Sequence, residues 1–295
     1  MSAANGARLF VALQYLLPKT LLSRLIGKIA RSQVPWVRRP LIASFVRGYR
    51  PDMSDALQPD PQAYPSFNAF FTRALRTDAR PAAAAPHAIV SPVDGRISAL
   101  GEIAAGRLLQ AKGQEYSLLA LLAGQAPLAT ALQYGLFMTI YLAPYNYHRI
   151  HMALAGRLTK AWYVPGQLFS VNDATAALVP GLFARNERVI LELASEHGSY
   201  ALVLVGALFV GSMSTVWHGD IAPRRAQSAI ELPPPSAATA SAQMMPLARG
   251  AELGWFNMGS TVILLLPKTV AKWDGAMSAG NPLRVGQSIG TVSAD

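Results

Sequence analysis

The 295 residues contain no cysteine. Disulfides, thiolate nucleophiles and cysteine-ligated metals are therefore excluded, and the redox compartment stays open. Charge is also scarce: 14% of residues are charged and 52% are hydrophobic. That is drier than an average soluble domain and points to a membrane contact or an extensive β core. Residues 1–50 hold no Asp or Glu, yet carry Arg8, Lys19, Arg24, Lys28, Arg31, Arg38, Arg39, Arg47 and Arg50. The net charge of +10 thus sits almost wholly in the first sixth of the chain. A cation excess confined to one end suits a polyanionic surface, either lipid head groups or nucleic acid. Another charge-free stretch runs from Tyr116 to His148, long enough for a membrane span by hydropathy. Gly124, Pro127, Gly135 and Pro144 divide it, and Tyr134, Tyr141, Tyr145 and Tyr147 need partners, so a buried helix followed by a core strand is expected.

In the first segment, Leu9, Phe10, Leu13, Leu16 and Leu17 fall on one helical face. After Pro18 so do Leu21, Leu22, Leu25, Ile26 and Ile29. Arg24, Lys28 and Arg31 recur at helical spacing and are expected opposite the leucines. Such a helix suits the plane of an anionic bilayer, against the plainer reading of a surface helix packed on its own domain. A signal peptide fits poorly, since Pro18 and Lys19 interrupt the apolar run; a mitochondrial presequence is compatible on composition. Beyond Val90 short apolar runs alternate with Gly and Pro: Ala88–Val90, Phe137–Leu142, Arg188–Leu193, Ala201–Val205, Leu208–Val210 and Val262–Leu266. These read as strands, whereas Ser117–Leu122 is more helical. The expected class is α+β: membrane-docking helices over 1–50, then a mainly antiparallel β catalytic domain over 51–295. Residues 223–250, with three consecutive prolines, read as a loop.

Three small clusters carry chemistry. Gly259-Ser260-Thr261 places a serine before a strand with glycine on its amino side, where the absence of a Cβ leaves the carbonyl open to attack and permits strained dihedrals. Tyr147-His148-Arg149-Ile150-His151-Met152 gathers two of the five histidines. They are open to roles as general bases, as metal ligands or as structural residues, and the lack of a third ligand weighs against metal. Ser91-Pro92-Val93-Asp94-Gly95 puts an aspartate at a turn after a strand, a turn former unless it meets a histidine. Together the clusters supply Asp, His and Ser, a set recognised by geometry and not by chain order.

These clusters are joined by further segments in order: Leu13-Gln14-Tyr15-Leu16-Leu17-Pro18-Lys19, Phe67-Asn68-Ala69-Phe70-Phe71-Thr72-Arg73, Gln110-Ala111-Lys112-Gly113, Val164-Pro165-Gly166 and Leu182–Val189. Along essentially its full length the chain resembles the bacterial phosphatidylserine decarboxylase family. The resemblance implies a proenzyme that cuts itself between Gly259 and Ser260, leaving a large chain, 1–259, and a small chain, 260–295. Ser260 would become a covalent pyruvoyl cofactor, with no metal. Asp94, His151 and Ser260 would form the self-cleavage triad, and His148 would assist decarboxylation of phosphatidylserine to phosphatidylethanolamine. Also implied are an anionic membrane surface as partner, a homodimer, no nucleic acid, and a peripheral place on the cytoplasmic face of the cell membrane, or on the mitochondrial inner membrane. Met258 stands where the family usually has leucine, and Asn146 where an aspartate is common, which bears on how His148 is oriented. The competing readings are a membrane-docked Asp/His/Ser lipid hydrolase, which would normally show Gly-x-Ser-x-Gly, and a non-enzymatic membrane-anchored protein.

Overall fold

A computed structural model describes residues 3–208, 212–221, 226–233, 246–268 and 271–292, and of Ser260 the backbone. Helices come first: α1 (Ala3–Leu16), α2 (Lys19–Ala30), α3 (Pro35–Tyr49) and the short α4 (Phe67–Phe71). Pro18 ends the first apolar run, and α1 and α2 meet there at 90°. Among the described residues no single helix is long and apolar enough to cross a membrane.

The remainder is mostly antiparallel sheet, giving the expected α+β class. An eight-stranded sheet runs, edge to edge, Ile230–Leu232, Arg157–Val164, Arg188–Ser195, Gly198–Val205, Ser260–Leu266, Leu136–Leu142, Gly95–Glu102 and Pro282–Leu283. Side chains alternate across a strand, so its two faces enter two cores. Val262, Leu264 and Leu266 join Met138, Ile140, Leu202 and Leu204 on one face. Ile263 and Leu265 join Phe137, Val203 and Ile190 on the other. Burial on both faces explains why the central strands read as unbroken apolar runs. The first face is covered by a four-stranded sheet containing Arg149–His151, Met213–Thr215, Gly219–Ile221 and Glu252–Phe256. Short helices cover the second, including Leu118–Leu121 and Ala126–Leu132 from the charge-free stretch. That stretch is therefore helix and core strand, as its breakers indicate.

Two readings need amendment. Within 223–250, Ile230–Leu232 is an edge strand paired with Ala161–Tyr163, because alternation buries Leu232. Most of the proposed strand 208–210, and residues 223–225 and 234–245 of the loop, lie outside the described residues. The second amendment concerns α2. Ser23, Gly27 and Ala30 form its buried seam, small residues that admit close approach to the domain. Leu21, Leu25 and Ile29 face outward, and Arg24 and Lys28 flank them on that same side instead of opposing them. Several cations are also tied inward. Lys19 is buried, its Nζ 2.6 Å from the Gln14 carbonyl and 4.3 Å from the Phe169 ring centre. Arg31 pairs with Asp220 at 3.0 Å, and Arg38 donates to the carbonyls of Gln62 and Tyr64.

Candidate active site

Ser260 opens the central strand of the large sheet, its backbone in register with Leu142. Gly259 immediately before it does not adopt a positive φ. What distinguishes the position is its neighbour. A Cβ built on Gly259 would lie 3.8 Å from His148 Nε2 and 3.7 Å from the Leu142 carbonyl oxygen. A side chain there would enter the space between the imidazole and the peptide group. The Ser260 side chain lies outside the described part of the structure.

His148 is fully buried. Its Nδ1 lies 2.8 Å from the Asn146 main-chain carbonyl, which can only accept, so Nδ1 carries the proton and Nε2 presents a lone pair. Among the described residues that Nε2 has no hydrogen-bond partner. The ring stacks at 4.1 Å on Phe71 of α4. Burial, aided by the Arg73 guanidinium, pushes the imidazole down to about 3, so it is neutral at ordinary pH. The main-chain carbonyl of Asn146, not its side chain, orients His148; the Asn146 carboxamide oxygen instead accepts from Ala143 N–H at 2.8 Å.

His151 sits in the strand Arg149–His151, whose amide donates to the Pro92 carbonyl at 2.8 Å and so brings it alongside the Asp94 turn. Both its ring nitrogens are engaged: Nδ1 with the Gly250 carbonyl at 2.8 Å, Nε2 with the Tyr147 hydroxyl at 3.2 Å. Burial lowers its proton affinity, partly offset by the Gly250 carbonyl and by the Glu252 and Asp94 carboxylates.

Asp94 is within electrostatic reach of His151, yet its hydrogen bonds go elsewhere. Arg80 clasps both oxygens, with Nη2 to Oδ2 at 2.7 Å and Nε to Oδ1 at 3.1 Å, and Val285 N–H donates to Oδ1 at 2.7 Å. Arg80 also holds Asp55 at 2.7 Å. Gly95 is required beside it, since a Cβ there would sit 2.6 Å from the Tyr141 carbonyl oxygen. The three clusters therefore converge on one region, His148 nearest the Gly259-Ser260 peptide. Among the described residues no hydrogen bond links Asp94 directly to His151. Arg80, Tyr147, Phe71 and the Gly250 carbonyl had no assigned role in the sequence, although Tyr147 and Phe71 lie inside the motifs above.

A cavity of about 620 Å³ opens on Gly259 and Met258. Its walls come from α1–α4 (Phe10, Ile29, Phe45, Phe71) and from Tyr141, Leu142 and Val171, with no charged side chain among the described residues. Gly259 thus lines an apolar cavity and has the His148 imidazole beside it, and a small carbonyl group built from Ser260 would fit next to that imidazole.

Comparison with known proteins agrees with this geometry. Residues 67–291 match the family model described as Phosphatidylserine decarboxylase, and residues 9–50 match one described as PSD. Relatives named phosphatidylserine decarboxylase proenzyme include that of Ectopseudomonas mendocina, 50% identical over 285 residues, covering 97% of this chain and 98% of the relative. That of Azotobacter vinelandii is 48% identical over 97% of this chain and 99% of its own length, and that of Polaromonas naphthalenivorans is 48% identical over 98% of each. The chain belongs to the phosphatidylserine decarboxylase family and is an enzyme of the decarboxylase class. The hydrolase and non-enzymatic readings are thereby set aside.

Proposed function

We propose that this chain is a proenzyme that matures by cutting its own Gly259-Ser260 peptide and then decarboxylates phosphatidylserine to phosphatidylethanolamine. The observation that carries the reading is His148 Nε2, without a hydrogen-bond partner among the described residues and beside Gly259, which lines an apolar cavity, in a chain of this family. In maturation the Ser260 hydroxyl gives its proton to an imidazole and its oxygen attacks the Gly259 carbonyl. The C–N bond breaks and the nitrogen leaves as the amine of residue 260. Loss of the residue 260 α-proton then expels the Gly259 carboxylate, and the enamine left behind takes up water and releases ammonia. The new terminus of the 260–295 chain is a pyruvoyl group, whose ketone supplies an electron sink for the bond to CO2.

The motif assigns the maturation base to His151, oriented through Asp94, and gives His148 to decarboxylation. A second reading rests on the position of His148: among the described residues its Nε2 has no partner and lies beside Gly259, whereas His151 Nε2 already accepts from Tyr147. In either role the neutral His148, held by the Asn146 carbonyl, can take or return a proton beside Gly259. The outward leucines of α2 and the exposed Leu13, Leu16 and Trp36 support docking on an anionic lipid surface, with the cavity mouth among the docking helices. A homodimer at the cytoplasmic face of the cell membrane completes the proposal.

Intact mass spectrometry of purified protein tests it. The expected result is two chains, the smaller beginning at residue 260 and lighter by one ammonia than a serine-initiated peptide. A single uncut chain in a preparation active on phosphatidylserine would refute self-cleavage. The His151→Ala and His148→Ala variants decide between the bases. The motif reading predicts that only His151→Ala stays uncut, and the geometric reading that His148→Ala does.

A further inference from the structure

Asn257 lies two residues ahead of the scissile glycine and is 2% exposed. Its side chain is held on three sides. Nδ2 donates to Ser212 Oγ at 2.7 Å and to Ser214 Oγ at 2.9 Å, while Oδ1 accepts from Asn68 Nδ2 at 3.1 Å. Its backbone N–H donates to the Ser212 carbonyl at 3.1 Å. A buried carboxamide with this many partners has one orientation, and any alternative leaves several polar groups unpaired.

The partners lead outward to two elements. Asn68 belongs to α4, the helix whose Phe71 stacks on the His148 ring. Ser212 Oγ also accepts from Arg31 Nη2 at 2.9 Å, and the same Arg31 nitrogen bonds Asp220 at 3.0 Å. Asp220 in turn accepts from the Ser214 hydroxyl. Arg31 is the C-cap of α2, whose leucines face outward. A continuous hydrogen-bonded path thus runs from the end of α2, through Ser212, to the side chain that anchors Met258-Gly259-Ser260.

We propose that Asn257 is a positioning residue for self-cleavage, and that the Arg31–Ser212–Asn257 path makes the seating of α2 part of what holds the Gly259 carbonyl in place. The inference rests on the self-cleavage reading above. Intramolecular attack is sensitive to placement at the ångström scale, and Gly259 has no side chain of its own to fix it. The fixed point nearest on the amino side is Asn257.

The test follows conversion of the full-length chain to two fragments after a translation pulse. Wild type is compared with Asn257→Ala, Arg31→Gln, the double variant and Val189→Ala. Val189 is buried in the sheet core away from the path, so it controls for simple loss of stability, and melting of each variant is measured in an uncut Ser260→Ala background. Asn257→Ala should cut about tenfold more slowly, the scale expected when a buried hydrogen-bonded group is removed. Arg31→Gln should show part of that loss, and the double variant should be no slower than Asn257→Ala alone, since both act on one path. Val189→Ala should lower the melting temperature at least as much yet cut at the wild-type rate. Wild-type cutting in Asn257→Ala, additive losses in the double variant, or equal slowing in Val189→Ala would each overturn the proposal while leaving self-cleavage standing. A wild-type chain that never yields a fragment beginning at residue 260 would instead overturn the reading beneath it.

Discussion

His148 shows how much a single environment changes an ordinary side chain. Exposed, its imidazole would titrate near 6.5; buried against Phe71 and beside Arg73, it is pushed to about 3. The unfolded chain therefore binds a proton between those values that the folded chain does not, and stability conferred by the neutral ring is complete above about 6.5 and is lost as pH falls toward 3. In a Ser260→Ala background, His148→Gln should make the acid limb of the stability curve shallower by about one proton. Urea unfolding at a series of pH values from neutral to acidic measures it, and parallel slopes for the two proteins would count against the buried neutral imidazole. The Tyr147-to-Met152 motif announced that these histidines matter, but not which lies nearer Gly259. That depends on a carbonyl two residues back and on Phe71, seventy-odd positions away in the chain. Asp94 was equally visible as a turn residue, while its clasp by Arg80 left no sequence signal.

At the scale of elements, α2 separates two functions by face. Its seam of Ser23, Gly27 and Ala30 holds it to the domain, and Leu21, Leu25 and Ile29 are left to face outward. Full burial of such side chains in an apolar phase is worth roughly 1.5–3 kcal/mol each, against roughly 1 kcal/mol for each cation near an anionic surface. The apolar term should dominate, and only the ionic one is screened by salt. High salt is thus expected to weaken co-sedimentation with anionic vesicles without abolishing it. Leu21→Ser with Leu25→Ser should reduce binding more than Arg24→Gln with Lys28→Gln. Arg31 is left out because it already pairs with Asp220 and Ser212, and its loss would act on the fold. Equal binding by all variants would assign the outward face to assembly with another protein surface.

Across the whole molecule, the segment 260–295 is woven into the rest. Its first strand lies between Gly198–Val205 and Leu136–Leu142, hydrogen-bonded along both edges and fully buried from Val262 to Leu266. Pro282–Leu283 pairs with Gly95-Arg96, Ser288–Val292 pairs with Ala88–Val90, and Val285 N–H binds the Asp94 carboxylate. Cutting before Ser260 would break one covalent bond and none of these contacts. The two fragments should co-elute on gel filtration in native buffer and separate only in denaturant. Release of the smaller fragment under native conditions would show that this strand is not held as described.

Local pattern settled much of this protein in advance. Short apolar runs bounded by breaker residues marked most core strands, and acid-free amphipathy marked the first helices. The motifs could be read along the chain because each is contiguous, whereas the steric need for Gly95 could not, since the Tyr141 carbonyl across the sheet sets it. Which face of α2 meets the domain could not be read that way, because hydrophobicity ranks side chains without saying whether protein or another phase will cover them. Nor could the partners of Asp94, His148 and Asn257, since a buried hydrogen bond is chosen by whatever donor or acceptor the packed fold brings within about 3 Å. For Asn257 those atoms come from residues 68, 212 and 214, and only folding brings them together.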